Sequence, residues 1–198
     1  MSCAASGNAS KKLREWLAAG ADGKLILRKD DFEGGKVSLC ELLYSGSLRA
    51  RLVQYRRSFC AWMGRYSAFT SWKEFWFRRA GASIGKDVFF SPGAEIDLLF
   101  PQLITFEDGA VMGMGSLVSA HLYTPDRIIV GRATIKRGGV LGGRAALAMT
   151  SIGEEGVLGV NSYTMKPVPD GQTAIGVPAV CRRKGNARAI EDETDEHP

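Results

Sequence analysis

Two histidines stand among the 198 residues of this chain, His121 and His197. An imidazole ordinarily titrates near neutral pH, so it can take the proton of a hydroxyl as that oxygen attacks. His197 follows the acidic run Glu191-Asp-Glu-Thr-Asp-Glu196, which reads as a solvated tail with nothing to bury. Base chemistry therefore falls to His121, just ahead of the loop-like Thr124-Pro125-Asp126-Arg127. A catalytic imidazole needs a partner that fixes its tautomer and steadies the imidazolium. Asp97 is the first candidate, with a merely solvated turn aspartate as the competing reading. Glu95, Glu107 and Asp108 rank behind it, because corners commonly carry such residues only to solvate the turn.

Other chemistries fail on counting. Two histidines, one of them in a tail, cannot make a three-histidine zinc centre, so no metal site is expected. The four cysteines (Cys3, Cys40, Cys60 and Cys181) form neither a CxxC pair nor a disulfide framework, which suits a reducing, cytoplasmic setting. No GxxxxGK[ST] phosphate loop is present. Apolar residues make up 45% of the chain, which excludes a disordered protein. No run reaches the roughly 18 apolar residues of a membrane span. The first residues, Met1-Ser-Cys-Ala-Ala-Ser-Gly7, lack an apolar stretch behind a positive one, so no signal peptide is expected.

The elements that must position His121 and Asp97 fall into two halves. Before Gly81 the pattern is helical. Ser10 suits the start of a short helix carrying Leu13, Trp16 and Leu17, and Leu25 to Leu27 suit a short strand. Ser38-Leu-Cys-Glu41 and Ser71-Trp-Lys-Glu74 both read as capping boxes. Between them Leu48, Leu52, Tyr55, Phe59 and Trp62 recur at steps of four and three, the stripe of an amphipathic helix. Gly81 suits a helix stop after Trp72, Phe75 and Trp76. Eight cations lie between residues 48 and 80 (Arg49, Arg51, Arg56, Arg57, Arg65, Lys73, Arg78, Arg79) against the single acid Glu74. The plainer expectation is that the stripe packs on the second half or on another subunit. The sharper one is contact with an anionic membrane surface or a lipid-linked saccharide. Nucleic acid is the weaker option, since the aromatics read as helix core rather than as stacking platforms.

The second half repeats with a period of six. Large residues recur at Ile84, Phe90 and Ile96; at Phe106, Met112 and Val118; at Ile129, Ile135, Leu141 and Leu147; and at Ile152, Leu158 and Thr164. Small residues sit four places later, as at Ala94, Ala110, Ser116, Ala145 and Ser162. Six fits neither a helix of 3.6 residues per turn nor a hairpin sheet. It suits stacked coils of short parallel strands, each sending one bulky side chain inward and turning on small residues. The rhythm breaks after Ile96 and after Val118, where extra residues must leave the coil, and it is one residue short between Leu147 and Ile152. Insertions in a regular solenoid are natural seats of function. His121, three places after Val118, stands beside one of them.

Several of these segments carry a resemblance. Ile152-Gly-Glu-Glu-Gly-Val-Leu-Gly-Val-Asn-Ser162, Lys166-Pro-Val-Pro169 and Ile175-Gly-Val-Pro-Ala179 resemble the closing section of hexapeptide-repeat acyltransferases. So do Leu141-Gly-Gly-Arg-Ala145, Glu95-Ile-Asp97 and Val118-Ser-Ala-His121. The likeness is to maltose and galactoside O-acetyltransferases and their polysaccharide-modifying relatives, and it spans about Gly81 to Arg183. It implies a left-handed triangular parallel β-helix, a homotrimer, and acetyl-CoA held between neighbouring subunits. It also implies His121 as general base, Asp97 as its partner, and a backbone donor for the thioester oxygen near Gly142 and Gly143. Lys166 and Arg183 would then face the CoA phosphates. Met165 and Val180 depart from the pattern, which leaves the fold expectation intact and weakens the phosphate contacts.

The expected organisation is a helical region over 1–80, a β-helix acyltransferase domain over 81–183, and an acidic tail over 184–198. The expected activity is transfer of an acetyl group from CoA to a hydroxyl of a saccharide-like acceptor. A non-catalytic scaffold on the same repeat is the rival from another class; it requires His121 to be buried or unpaired and no CoA to bind.

Overall fold

The computed structural model describes residues 8–44 and 47–182; Arg183 and the tail from 184 to 198 lie outside the described residues. The chain opens with α1 (Asn8–Ala18), β1 (Lys24–Arg28), α2 (Leu39–Tyr44), α3 (Leu48–Tyr66) and α4 (Thr70–Ala80). It then winds into coils. The first coil is β2 (Ser83–Ile84), β3 (Phe89–Phe90) and β4 (Glu95–Ile96); the second is β5 (Ile104–Phe106), β6 (Val111–Met112) and β7 (Leu117–Ser119). A hairpin interrupts, β8 (His121–Thr124) and β9 (Arg127–Gly131). The third coil is β10 (Ala133–Ile135), β11 (Val140–Leu141) and β12 (Ala146–Ala148), and the fourth is β13 (Ser151–Ile152), β14 (Val157–Leu158) and β15 (Tyr163–Thr164). The hairpin of β16 (Thr173–Gly176) and β17 (Ala179–Arg182) ends the described chain.

Strands one coil apart pair in parallel and build three walls, β2-β5-β10-β13, β3-β6-β11-β14-β16 and β4-β7-β12-β15. Register follows the period: Ile96 stands beside Val118, Val118 beside Leu147, and Leu147 beside Thr164. These inward residues form a continuous buried column, with Phe106, Met112, Ile135, Leu141 and Leu158 almost wholly removed from water. The column runs on past Thr164 through Val168, bridged to Ile152, and Ala174, beside Leu158. Pro167 and Pro169, with the shortened step between Thr164 and Val168, hide that continuation in the sequence.

Ile129 is not part of the column. It lies on β9, partly buried, paired antiparallel with Ile26 of β1 and Leu122 of β8. The departure after Val118 is therefore an entire hairpin that rejoins the column at Ile135, longer than the expected insertion. β1 completes a three-stranded ribbon with it, so a strand from the helical half is built into the second half.

The helices close the first end of the column. Phe77 of α4 is fully buried and stacks edge-on to Phe90, which stacks edge-on to Phe106, with ring centroids 5.3 and 5.1 Å apart. Gly64 of α3 makes this possible, since a Cβ there would meet the Phe77 ring at 2.2 Å. Buried Lys73 donates to the carbonyls of Gly64, Arg65 and Ala94, tying the end of α3 to the first coil; burial pulls its pKa down to about 8, against the pull of Glu95.

Capping follows the expected residues in part. Glu41 N–H donates to Ser38 Oγ, but the Glu41 carboxylate accepts from Glu33 N–H, so half of that box is present. Ser71 lies inside α4, which begins at Thr70, and Glu74 pairs with Arg78. Ser10 is buried within α1, and Ser47 caps α3 through Ala50 N–H.

Within this chain the α3 stripe does not pack on the coils, the first of the two surfaces expected for it. Leu48, Leu52, Tyr55, Phe59 and Trp62 face solvent, and the buried residues of α3 are Gln54, Cys60, Ala61 and Gly64. Gln54 and Ser58 bond to the Leu99 and Leu98 carbonyls, and Gly64 lies against the Phe77 ring, which fixes the face turned inward.

Column and ribbon should differ in a measurable way. Leu141→Ala, in the closed column, is expected to cost about 2–5 kcal/mol, and Ile129→Ala, on the partly buried ribbon, clearly less. Denaturant unfolding of both variants checks the order.

Candidate active site

Asp97 and His121 both leave the coils at one corner, where the third wall returns to the first. Ile96 and Val118 are in register, so Asp97 lies beside Ser119 on the next coil, and Asp97 N–H donates to Val118 O at 2.9 Å. Two residues past Ser119 the chain enters β8, which turns the His121 ring back over Asp97. His121 Nδ1 lies 2.5 Å from Asp97 Oδ2. Ser119 Oγ donates to His121 O at 2.8 Å and holds that turn, and the Phe100 ring stands 5.7 Å from the imidazole at a tilt of 60°.

The Asp97 carboxylate is the hub. Oδ1 accepts from the N–H groups of Leu99 and Phe100 at 2.8 and 3.0 Å, and Oδ2 accepts from Ala120 N–H at 2.8 Å besides the imidazole. Its side chain is completely buried. Burial, the largest single influence, pushes its pKa up; the bond to His121, the charge on that ring, and the Phe100 and Ala120 N–H groups together outweigh it and hold the carboxyl below its ordinary range. An ionised carboxylate only accepts hydrogen bonds, so His121 presents Nδ1–H to Asp97 and its Nε2 is the nitrogen left for a substrate. The ring is 22% exposed, and Nε2 has no hydrogen-bond partner among the described residues. The scaffold reading requires a buried or unpaired histidine, and His121 is neither.

The other expected site residues spread along the coils. Lys166 is exposed on the same edge as His121, two coils further on, or roughly 10 Å at ordinary strand spacing. Gly142 and Gly143 sit at a different corner, between the second and third walls, so one chain does not bring them to His121. Gly142 N–H already donates to Leu158 O at 2.7 Å, and a Cβ on Gly142 would meet the Gly159 carbonyl carbon at 2.7 Å; this glycine serves the stacking of coils, and its N–H is not open to a ligand. Gly143 N–H is outside the ladder. Arg183 lies outside the described residues. Glu107 and Asp108 accept from the N–H groups of Arg137 and Lys86 at corners, and Glu95 pairs with Arg65, so these three hold structure.

Sequence reasoning missed three contributors. Phe100 and Ser119 shape the imidazole's setting, and neither carries a motif. Lys24 of β1 reaches Met165 O with its Nζ at 3.2 Å, which adds a second cation beside Lys166. Its partner is 141 residues away, and no local pattern signals it. Among the described residues, no group of three or more His, Cys, Asp or Glu is placed to hold a metal ion.

The fold so built is that of the hexapeptide-repeat acetyltransferases. The chain is similar to a hexapeptide-repeat acetyltransferase from Vibrio cholerae O1 biovar eltor complexed with acetyl coenzyme A, at 16% identity, 70% of this chain, 90% of that one and a TM-score of 0.58. It is similar to a galactoside acetyltransferase in complex with coenzyme A, at 17% identity, 89% and 92% coverage and a TM-score of 0.58. A maltose O-acetyltransferase from Clostridium difficile 630 aligns at 15% identity, 75% and 97% coverage and a TM-score of 0.53. No family model matches the chain, and no curated protein matches it.

Asp97→Asn tests the hub. Both carboxylate oxygens accept from backbone N–H groups, so either orientation of the amide sets an NH₂ against a donor. The expected loss is about 1–3 kcal/mol of stability. Because the folded carboxyl titrates below its unfolded value of about 3.9, the difference between wild type and variant should be complete above about pH 5 and shrink as pH falls through the folded value. Urea unfolding across that range measures it; a difference that is flat with pH would contradict the ionised hub.

Proposed function

We propose that this chain is a CoA-dependent O-acyltransferase, moving an acetyl group from acetyl-CoA to a hydroxyl of a saccharide-like acceptor. The observation that carries this reading is the imidazole held by buried Asp97 through Nδ1, with the ring partly exposed and Nε2 without a partner among the described residues. The shared fold with structures named as acetyltransferases, two of them holding acetyl-CoA or CoA, supports it.

In this reading His121 Nε2 takes the acceptor proton while the acceptor oxygen bonds to the thioester carbonyl carbon. Asp97 steadies the imidazolium and does not itself become protonated. As the carbon–sulfur bond breaks, His121 returns the proton to the departing sulfur, leaving an acetyl ester and free CoA thiol. Lys166 and Lys24 bring positive charge to the same edge for the CoA phosphates, and Arg183 would join them from the chain beyond. The coil is left-handed, and three copies close into a ring of head-to-tail contacts, so each site draws on two chains. That arrangement lets Gly143 of a neighbouring copy offer its N–H to the thioester oxygen, which one chain alone does not do.

Calorimetric titration of acetyl-CoA, beside acceptor-dependent release of CoA thiol, tests this. His121→Ala should bind acetyl-CoA as the wild type does and lose about 10²–10⁴-fold in kcat. A folded wild type that binds no acetyl-CoA overturns the proposal.

A further inference from the structure

The α3 stripe that turned outward is one half of a larger aromatic face. Leu48, Leu52, Tyr55, Phe59, Trp62 and Tyr66 lie along one side of α3, each between 46% and 65% exposed. Trp72 and Phe75 of α4 are half or more exposed, and the two helices join through Trp76, whose ring stands edge-on to Phe59 at 6.3 Å and to Phe75 at 5.1 Å. Single apolar residues on a surface need no explanation, but a contiguous face spanning two helices does.

Charge says what covers it. Arg49, Arg56 and Arg79 are exposed around this face with no acidic partner among the described residues, and Arg79 also stacks over Phe75 at 5.6 Å. The two acids nearby are already taken: Glu74 by Arg78 and Glu95 by Arg65. A second copy meeting this face about a two-fold axis would bring arginines against arginines. The acidic run from Glu191 to Glu196 offers charge but no large apolar side chain. A bilayer of anionic lipid offers both terms, an apolar boundary for the rings and phosphates for the guanidinium groups. Trp and Tyr suit that boundary, with an apolar body and a polar tip. No helix among the described residues is long and apolar enough to cross a membrane, so the contact lies along the surface.

We infer that the outer face of α3 and α4 docks the protein on an anionic membrane surface. The inner side of α3 reaches the site: Gln54 Nε2 donates to Leu99 O at 2.9 Å and Ser58 Oγ to Leu98 O at 2.8 Å, in the loop that begins with Asp97. The active-site loop thus rests on the helix that meets the lipid. The docking itself does not depend on the acyl-transfer reading.

Vesicle sedimentation of the full chain tests it, with phosphatidylcholine alone and with phosphatidylglycerol added. Trp62→Glu/Trp72→Glu alters only exposed positions, and circular dichroism checks that it folds. The wild type should pellet with the anionic vesicles at low salt, with the double variant weakened by at least about tenfold and the binding reduced as salt rises. Failure of the wild type to pellet at low salt overturns the proposal, as does equal pelleting with neutral vesicles or by the variant. Loss of a wild-type oligomer in the variant, without vesicle binding by the wild type, would overturn it by making a second copy the occupant.

Discussion

Each coil is held to the next by parallel backbone hydrogen bonds, and those bonds are satisfied only while the three walls stay in register. Ile96, Val118, Leu147 and Thr164 must stand in line, as must Phe90, Met112, Leu141, Leu158 and Ala174. Two of the three corners, first wall to second and second to third, keep a constant length, so any change in chain length has to be absorbed at the remaining one. All of it falls at the corner where the third wall returns to the first. The first and second coils bulge there, as the 97–103 loop and the β8–β9 hairpin, and the next two turn short, around Met149 and Pro167. Register in the walls thus concentrates variation on one edge. That edge holds Asp97, His121, Lys24 and Lys166.

The pairing of Asp97 with His121 depends on this placement more than on any single contact. The Asp97 side chain is buried, and holding it as a carboxylate there is costly unless the charge is fully met. Backbone N–H groups of Leu99, Phe100 and Ala120 meet it, and these come from two successive coils. The imidazole is then one further donor to a carboxylate already fixed in place. Rigid coils and a buried hub together give the exposed Nε2 a defined direction.

Helices α3 and α4 do two jobs on opposite faces. On the inner side Gln54, Ser58 and Lys73 bond to backbone carbonyls and Phe77 packs on Phe90, while Phe59, Trp62, Tyr66, Trp72 and Phe75 face outward. A helix whose bulky side faces away from its own domain has its remaining apolar burial to gain from something else. This inversion is why the stripe was easy to see in the sequence and easy to point the wrong way.

What the sequence determined by itself was the period and the pair. A step of six with small residues at the corners admits few folds. His121 beside a break and Asp97 after a column residue one coil earlier could both be counted from the column, and the structure brings the two side chains together. The tertiary structure decided what counting cannot reach. Ile129 keeps an apolar side chain yet belongs to a ribbon, since its partner is β1, about a hundred residues earlier in the chain. Gly142 matches a motif, but its N–H is committed to the ladder. Lys24 joins the edge only because β1 pairs with β9. The stripe on α3 faces outward because the opposite face is held by the bonds of Gln54 and Ser58 to the Leu99 and Leu98 carbonyls and by the Phe77 ring against Gly64. Local pattern records which residues are apolar and how often they recur; which surface they meet is set by contacts between segments far apart in the chain.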